Sequence, residues 1–231
     1  MDPTNAILAV DNSGMGAVYK GLAMGSASAG NFLYATNFHE GVIEMYDAHF
    51  QWVRNFTDYD LPPHYAPFGI ANIGGKLYVT FAKQDKDAHD DSAGPHRGFV
   101  DIFDTDGNLI KRLISRGPLD SPWGLALAPA GFGRFSHSLL VGNFGNGRIS
   151  AFNPRTGFFR GQLRRKDVSA RSRGWFPHRF RHDRDDVLTI DGLWAIVFGN
   201  GTATAPANLL YFTAGPDGES HGLFGTVQPA K

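Results

Sequence analysis

The chain has 231 residues, 42% of them hydrophobic and 19% charged, enough apolar side chain to fill a core and too little charge for a disordered polymer. Lys plus Arg and Asp plus Glu are 22 each, a net charge of zero that argues against general nucleic-acid binding, and the absence of Cys excludes disulfides, thiolate metal sites and a Cys nucleophile. Gly at 29 and aromatic residues at 13% point to short strands joined by tight turns, with no apolar run long enough for a membrane span and no signal peptide in this chain.

In chain order, the reading opens with a strand at 6–11, taken as the last strand of an earlier blade. Four repeats of one pattern follow, about 17–60, 66–115, 121–163 and 190–228. Each starts on a small-residue strand, YKGLAM, PFGIAN, PWGLAL and DGLWAI, aligned on Gly21, Gly69, Gly124 and Gly192. A second apolar stretch comes next: FLYATNF, KLYVTFA, SLLVGNF and LLYFTAG. After a Gly turn comes a third: GVIEMYD, GFVDIFD, GRISAFN and GLFGTV. A fourth strand is readable in NLIKRLI and FFRGQL. Three or four antiparallel strands repeating at this length predict an all-β chain, a β-propeller of about four visible four-stranded antiparallel blades. A sandwich of similar hairpins is the alternative, but it does not require one motif at the same place in each unit. Four blades leave either a small ring closed by other segments or an incomplete ring completed by association, and we expect a homodimer through uncovered blade faces.

Between the third and fourth repeats lies a basic loop insertion, 164–189. It interleaves Arg164, Arg165, Lys166, Arg171, Arg173, Arg179, Arg181 and Arg184 with Trp175, Phe176 and Phe180. Arginine beside aromatic planes could grip a single strand or an acidic partner; a solvated insertion is the simpler reading.

In a propeller, the start of each innermost strand and the turn after each second strand converge on one rim. The residues before the aligned glycines are Lys20, Phe68, Trp123 and Asp191, and the turns bring Asn37, His39, Asp85, Asp87, Asn143 and His221. Oxygen donors in this number suit a divalent metal, Ca²⁺ more than Zn²⁺. The loop QDKDAHDD (84–91) begins like an EF-hand but has Asp90 at the glycine position and His96 at the twelfth. His39, His96 and His221 offer an imidazole site assembled by the fold. Each of these residues can also be read as ordinary strand-terminating turn chemistry.

The strings LYATNFHEGVIEMYD, GGKLYVTFAKQDKDAHDD, SPWGLALAPAGFG, LLVGNFGNGRISAFNPRTG and LYFTAGPDGESHGLFG resemble an uncharacterised family of bacterial NHL-like β-propeller proteins, some exported with a PEP-CTERM tail. The resemblance implies further N-terminal blades, of which this chain looks like the C-terminal two thirds. Asp191-Gly192-Leu193 resembles the strand starts of calcium-dependent propeller lactonases, in which such side chains hold a central Ca²⁺ that polarises the lactone carbonyl. Of the four strand starts only Asp191 matches, so calcium would draw on Asn37, Asn143 or the 85–91 loop.

Two functions follow. The first is a metal-dependent hydrolase of small lactones or esters, including acyl-homoserine-lactone-type substrates, with Asp191, His39 and His221 catalytic, Trp123, Phe68 and Lys20 contacting substrate, and Asp191, Asn143, Asn37, Asp85 and Asp87 on the metal. The second is a noncatalytic propeller that binds a protein, glycan or cell-envelope partner.

Overall fold

A computed structural model describes residues 6–165 and 186–229. Four antiparallel sheets, the blades of a β-propeller fold, account for almost all of the regular structure. The first is β1 (Tyr19–Ala27), β2 (Gly30–Asn37), β3 (Val42–Tyr46) and β4 (Trp52–Phe56); the second is β5 (Tyr65–Ile73), β6 (Lys76–Lys83), β7 (Phe99–Phe103) and β8 (Leu109–Ser115). The third is β9 (Pro122–Leu127), β10 (Leu139–Asn143), β11 (Ile149–Phe152) and β12 (Phe159–Gln162); the fourth is β13 (Leu193–Phe198), β14 (Leu210–Ala214) and β15 (Leu223–Val227). The fourth blade thus has three strands among the described residues, where a four-stranded blade is expected. No helix among the described residues is long and apolar enough to cross a membrane.

The chain divides into two compact units. One comprises residues 1–93 and 97–116, the other 94–96 and 117–231. In the first unit the two sheets bury their facing sides together. Strand alternation sends Phe32, Tyr34, Ile43 and Met45 of the first blade against Ile70, Leu77, Val79, Phe99 and Phe103 of the second. In the second unit Leu140, Ile149 and Ala151 meet Leu193, Ile196 and Leu210 in the same way. Residues 6–11, read as a strand, carry no ladder, and Ile7 is 81% exposed.

One irregularity recurs in all four sheets. Where the first strand enters, it carries one residue more than its partner: the ladder passes over Lys20 in β1, Phe68 and Gly69 in β5 against Thr80, Trp123 in β9, and Trp194 and Ala195 in β13 against Thr213. Such bulges turn a side chain out of the pleat. In the first and third sheets the residue after the bulge lies against the backbone of the neighbouring blade in its own unit. A Cβ on Gly21 would stand 3.0 Å from the Phe68 carbonyl oxygen, and one on Gly124 would stand 2.7 Å from that of Trp194, which is why both positions are glycine.

The bulges correct the fourth repeat. Its equivalent of Gly21, Gly69 and Gly124 is Ala195, not Gly192: Thr80 Oγ1 accepts the Gly69 amide at 2.8 Å, and Thr213 Oγ1 accepts the Ala195 amide at 3.3 Å. Gly192 belongs to the preceding turn, at φ +61°, and Trp194 rather than Asp191 takes the position of Lys20, Phe68 and Trp123.

Candidate functional site

The expected rim residues fall in both units, and each unit gives its own account of them. In the first, Phe68 is 1% exposed and packs on Phe38 at 5.1 Å between ring centroids, so its ring is committed to the core. Lys20 pairs with Asp90 at 2.8 Å, and bonds from Lys20 and then His89 hold the Asp90 carboxyl below its usual range. Asp85 Oδ1 accepts the amides of Asp87 and His89 at 3.2 and 3.0 Å, a self-capped turn, while Asp87 is exposed beside Lys86. Asn37 is buried; its Oδ1 accepts the amides of Val18 and Glu40 and its Nδ2 donates to Glu44. His39 is exposed.

In the second unit Trp123 and Trp194 meet edge to face at 5.4 Å, and Phe144 lies 4.4 Å from Trp194, an aromatic cluster built by two bulges and one turn. Asp191 is exposed and accepts the Asp217 amide at 3.0 Å, capping the turn after β14. Asn143 is buried and donates to the Pro118 carbonyl at 2.8 Å. His221 is exposed, 2.9 Å from Ser220 Oγ and 3.5 Å from Asp217 Oδ2. His96 bonds the Gly117 carbonyl. The basic residues from Lys166 to Arg184 lie outside the described residues.

Several of the positions expected to hold a metal are engaged within their own loops. Among the described residues no three His, Asp or Glu side chains gather as a metal cluster. Asp191 and Asp85 each cap their own turn. Asn143 Oδ1 and Ser121 Oγ are buried without a hydrogen-bond partner, but two neutral oxygens are far from the six to eight oxygens, several of them charged, that Ca²⁺ takes.

A different constellation does converge, in the first blade. Alternation along β3 points Ile43 and Met45 at the core and turns Glu44 and Tyr46 to the opposite face. Glu44 is 6% exposed, yet it forms part of the wall of a cavity of about 520 Å³. Its Oε1 accepts Asn37 Nδ2 at 2.8 Å; its Oε2 accepts the Tyr19 hydroxyl at 2.5 Å, the Tyr46 hydroxyl, and Asn12 Nδ2 at 3.4 Å. Burial, then the bond to Glu44, raises the pKa of both tyrosine hydroxyls, so they stay protonated as donors. The outer walls are Met15, Phe50 and Trp52, with Trp52 61% exposed and held by its Nε1 bond to Asn55 Oδ1 at 2.7 Å.

The sequence reading did not include Glu44, although a signal was available. Glu44 in GVIEMYD, Asp101 in GFVDIFD and Ser150 in GRISAFN occupy one repeat position, opposite Ala35, Val79 and Val141 in the ladders. An acid within an apolar third strand, twice, marks a buried polar site.

No family model matches the chain. Two uncharacterised proteins of Acanthamoeba polyphaga mimivirus are each 36% identical to it, over 165 and 160 residues, 66% of this chain in both cases and 42% and 29% of theirs. The chain therefore spans less than half the length of these curated relatives, and they are viral rather than bacterial. Among solved structures, a catalytically inactive virginiamycin B lyase from Staphylococcus aureus with quinupristin matches at TM-score 0.51 and 12% identity, over 100% of this chain and 62% of that one. A proposed gluconolactonase matches at TM-score 0.50 and 16% identity, over 90% and 63%. At these identities the likeness is one of fold: the chain has the architecture of a β-propeller.

Proposed function

We propose that this chain is a noncatalytic recognition propeller that takes a ligand, or a side chain of a protein, glycan or cell-envelope partner, into the first-blade cavity. The observation that carries the reading is the buried Glu44 carboxylate, fixed by Asn37, Tyr19, Tyr46 and Asn12 at the base of an aromatic-walled cavity. Four donors hold that carboxylate in place before any ligand arrives, and an aromatic rim supplies apolar contact, the usual division of labour in a binding pocket.

The competing reading is hydrolysis of a small lactone or ester at a metal. It would need Asp191 to give up the cap of its own turn and His221 to leave Ser220. Crystals soaked with a set of small charged and neutral fragments decide between the two, together with a pH-stat assay on lactones and esters with and without calcium. The expected outcome is fragment density over Glu44 in the wild type, weakened about ten-fold in affinity by Trp52→Ala, and no turnover. Turnover that survives Trp52→Ala, with the cavity empty of every fragment, would overturn the reading.

A further inference from the structure

The two acids that share a repeat position in the first unit are treated differently by their neighbours. In the second blade Asp101 is opposite Arg112 in the β7–β8 ladder, and Arg112 Nε lies 3.4 Å from Asp101 Oδ1 while its Nη2 bonds Asp58. The guanidinium is also stacked over the Phe99 ring, its carbon 5.1 Å from the centroid. The cation thus has a carboxylate below and an aromatic face beside it. In the first blade the same ladder position places Glu44 opposite Asn55. Asn55 is shorter than arginine, carries no charge, and spends its oxygen on Trp52.

Every donor the structure gives to Glu44 is neutral: one amide from Asn37, another from Asn12, and two tyrosine hydroxyls. The described cavity wall includes a second acid, Glu40, and no Lys, Arg or His. A carboxylate with little water around it and no counter-charge attracts a cation more strongly than an exposed one does. Asn55, which stands in the ladder where Arg112 does, lines the empty volume, and Phe50 and Trp52 supply its aromatic surface.

We propose that the first-blade cavity is a receptor for a guanidinium group, an alkylguanidinium that enters past Trp52 and pairs with Glu44 in the position that Arg112 fills within the second blade. The inference rests on the recognition reading above and gives it a ligand class. A guanidinium suits the site better than an ammonium because its plane can lie against an indole while its edge donates to carboxylate oxygen. Glu44 Oε1, with one donor, keeps capacity for that bond.

The test titrates the full chain, by calorimetry and amide NMR, with N-acetylarginine methylamide, its neutral isostere N-acetylcitrulline methylamide, butylammonium, acetate, and a Gly-Gly-Arg-Gly-Gly peptide. The arginine compound should bind, and citrulline and butylammonium should bind at least about ten-fold more weakly. A free ligand as source predicts that the compound equals or exceeds the peptide; a partner's arginine predicts the reverse. Glu44→Gln should weaken binding about ten- to hundred-fold. Because a buried substitution can unfold the blade, Asn55→Arg is the second variant. It supplies the guanidinium from within, and should raise Tm while abolishing binding. Equal affinity for citrulline, or unchanged binding in a folded Asn55→Arg, overturns the inference. If neutral or anionic probes shift the cavity amides and guanidinium does not, the ligand class falls and the recognition reading stands. If no probe of any charge shifts them, both fall.

Discussion

Asp58, Asp101 and Arg112 put two carboxyl groups and one cation in a space where Asp101 is fully buried and Asp58 nearly so. One positive charge cannot neutralise two buried carboxylates, so the pair keeps a proton. Burial first, and then the adjacent Asp58, pushes Asp101 up to about 8 from 3.8. Burial works against Asp58 as well, yet the bonds from Asp101, the Asp60 amide and Arg112 hold it below its usual value. Neither Asp101 oxygen has a donor in place, which is the arrangement expected when the missing hydrogen is its own and points at Asp58. The sign for stability follows. An acid raised in the folded state binds more protons folded than unfolded between about pH 4 and about pH 8, so its contribution is complete at the acid end and declines as pH rises through that window. Asp58 acts in the opposite sense, and its contribution is lost as pH falls below the unfolded carboxylate value. Urea unfolding from pH 5 to pH 9 should therefore show stability falling with pH by no more than about 1.4 kcal/mol per unit, the limit for one proton. Asp101→Asn, neutral at every pH and still a donor to Asp58, should flatten the difference curve; an equal slope in the variant would show that Asp101 is ionised throughout.

At the level of strands, the glycine motif was legible in three repeats because the close approach of adjacent first strands forbids a side chain at Gly21 and Gly124. It misled in the fourth, where Ala195 takes that place and the Asp191-Gly192 turn imitates the motif three residues early. The strand order of each sheet and the second-strand turns were readable from Gly, Asn and aromatic spacing; which face of β3 and β7 meets the core was not. That depends on which neighbouring sheet each strand is packed against, so Glu44 and Asp101 look alike in sequence and differ in surroundings. The basic insertion invites a different test. Arg164 bridges Val187 antiparallel, and the Arg165 amide bonds the Asp186 carbonyl at 2.8 Å, so the chain leaves and rejoins the blade at neighbouring points. Replacing residues 166–185 by an Asn-Gly turn should preserve the β-rich circular dichroism spectrum. It should also leave stability unchanged or slightly higher, since each halving of a closed loop recovers about 0.6 kcal/mol. Loss of cooperative unfolding would mean that the excised residues supply core contacts.

For the molecule as a whole, the fold is common ground with proteins of unrelated activity, and what distinguishes this chain lies in the side chains that the fold presents. The resemblance of Asp191-Gly192-Leu193 to the strand starts of propeller lactonases made a central calcium a natural expectation, and metal dependence is the property that most sharply separates the hydrolase from the recognition module. Several acids of the chain, Asp191 and Asp85 of the expected metal set among them, have other work. Asp191 and Asp85 cap their turns, Asp90 neutralises Lys20, and Asp101 shares its surroundings with Asp58 and Arg112. To bind Ca²⁺, a turn must give up its own cap and be re-formed around the ion, and that cost falls on loops already ordered by backbone hydrogen bonds. A resident calcium bound at one hundred times its Kd would add about 2.7 kcal/mol, which in a chain of this length moves Tm by about 5–10 °C. Dialysis against chelator, followed by calcium titration under scanning calorimetry, should leave Tm within about 1 °C throughout, well short of that stabilisation. N-acetylarginine methylamide added to the same chelated protein should raise Tm in proportion to the logarithm of its concentration once the site saturates, because a ligand that binds only the folded state stabilises it by mass action. A chelator-induced drop restored by calcium would place a metal at the centre of the protein's chemistry and return the oxygen-rich turns to the role their sequence suggested.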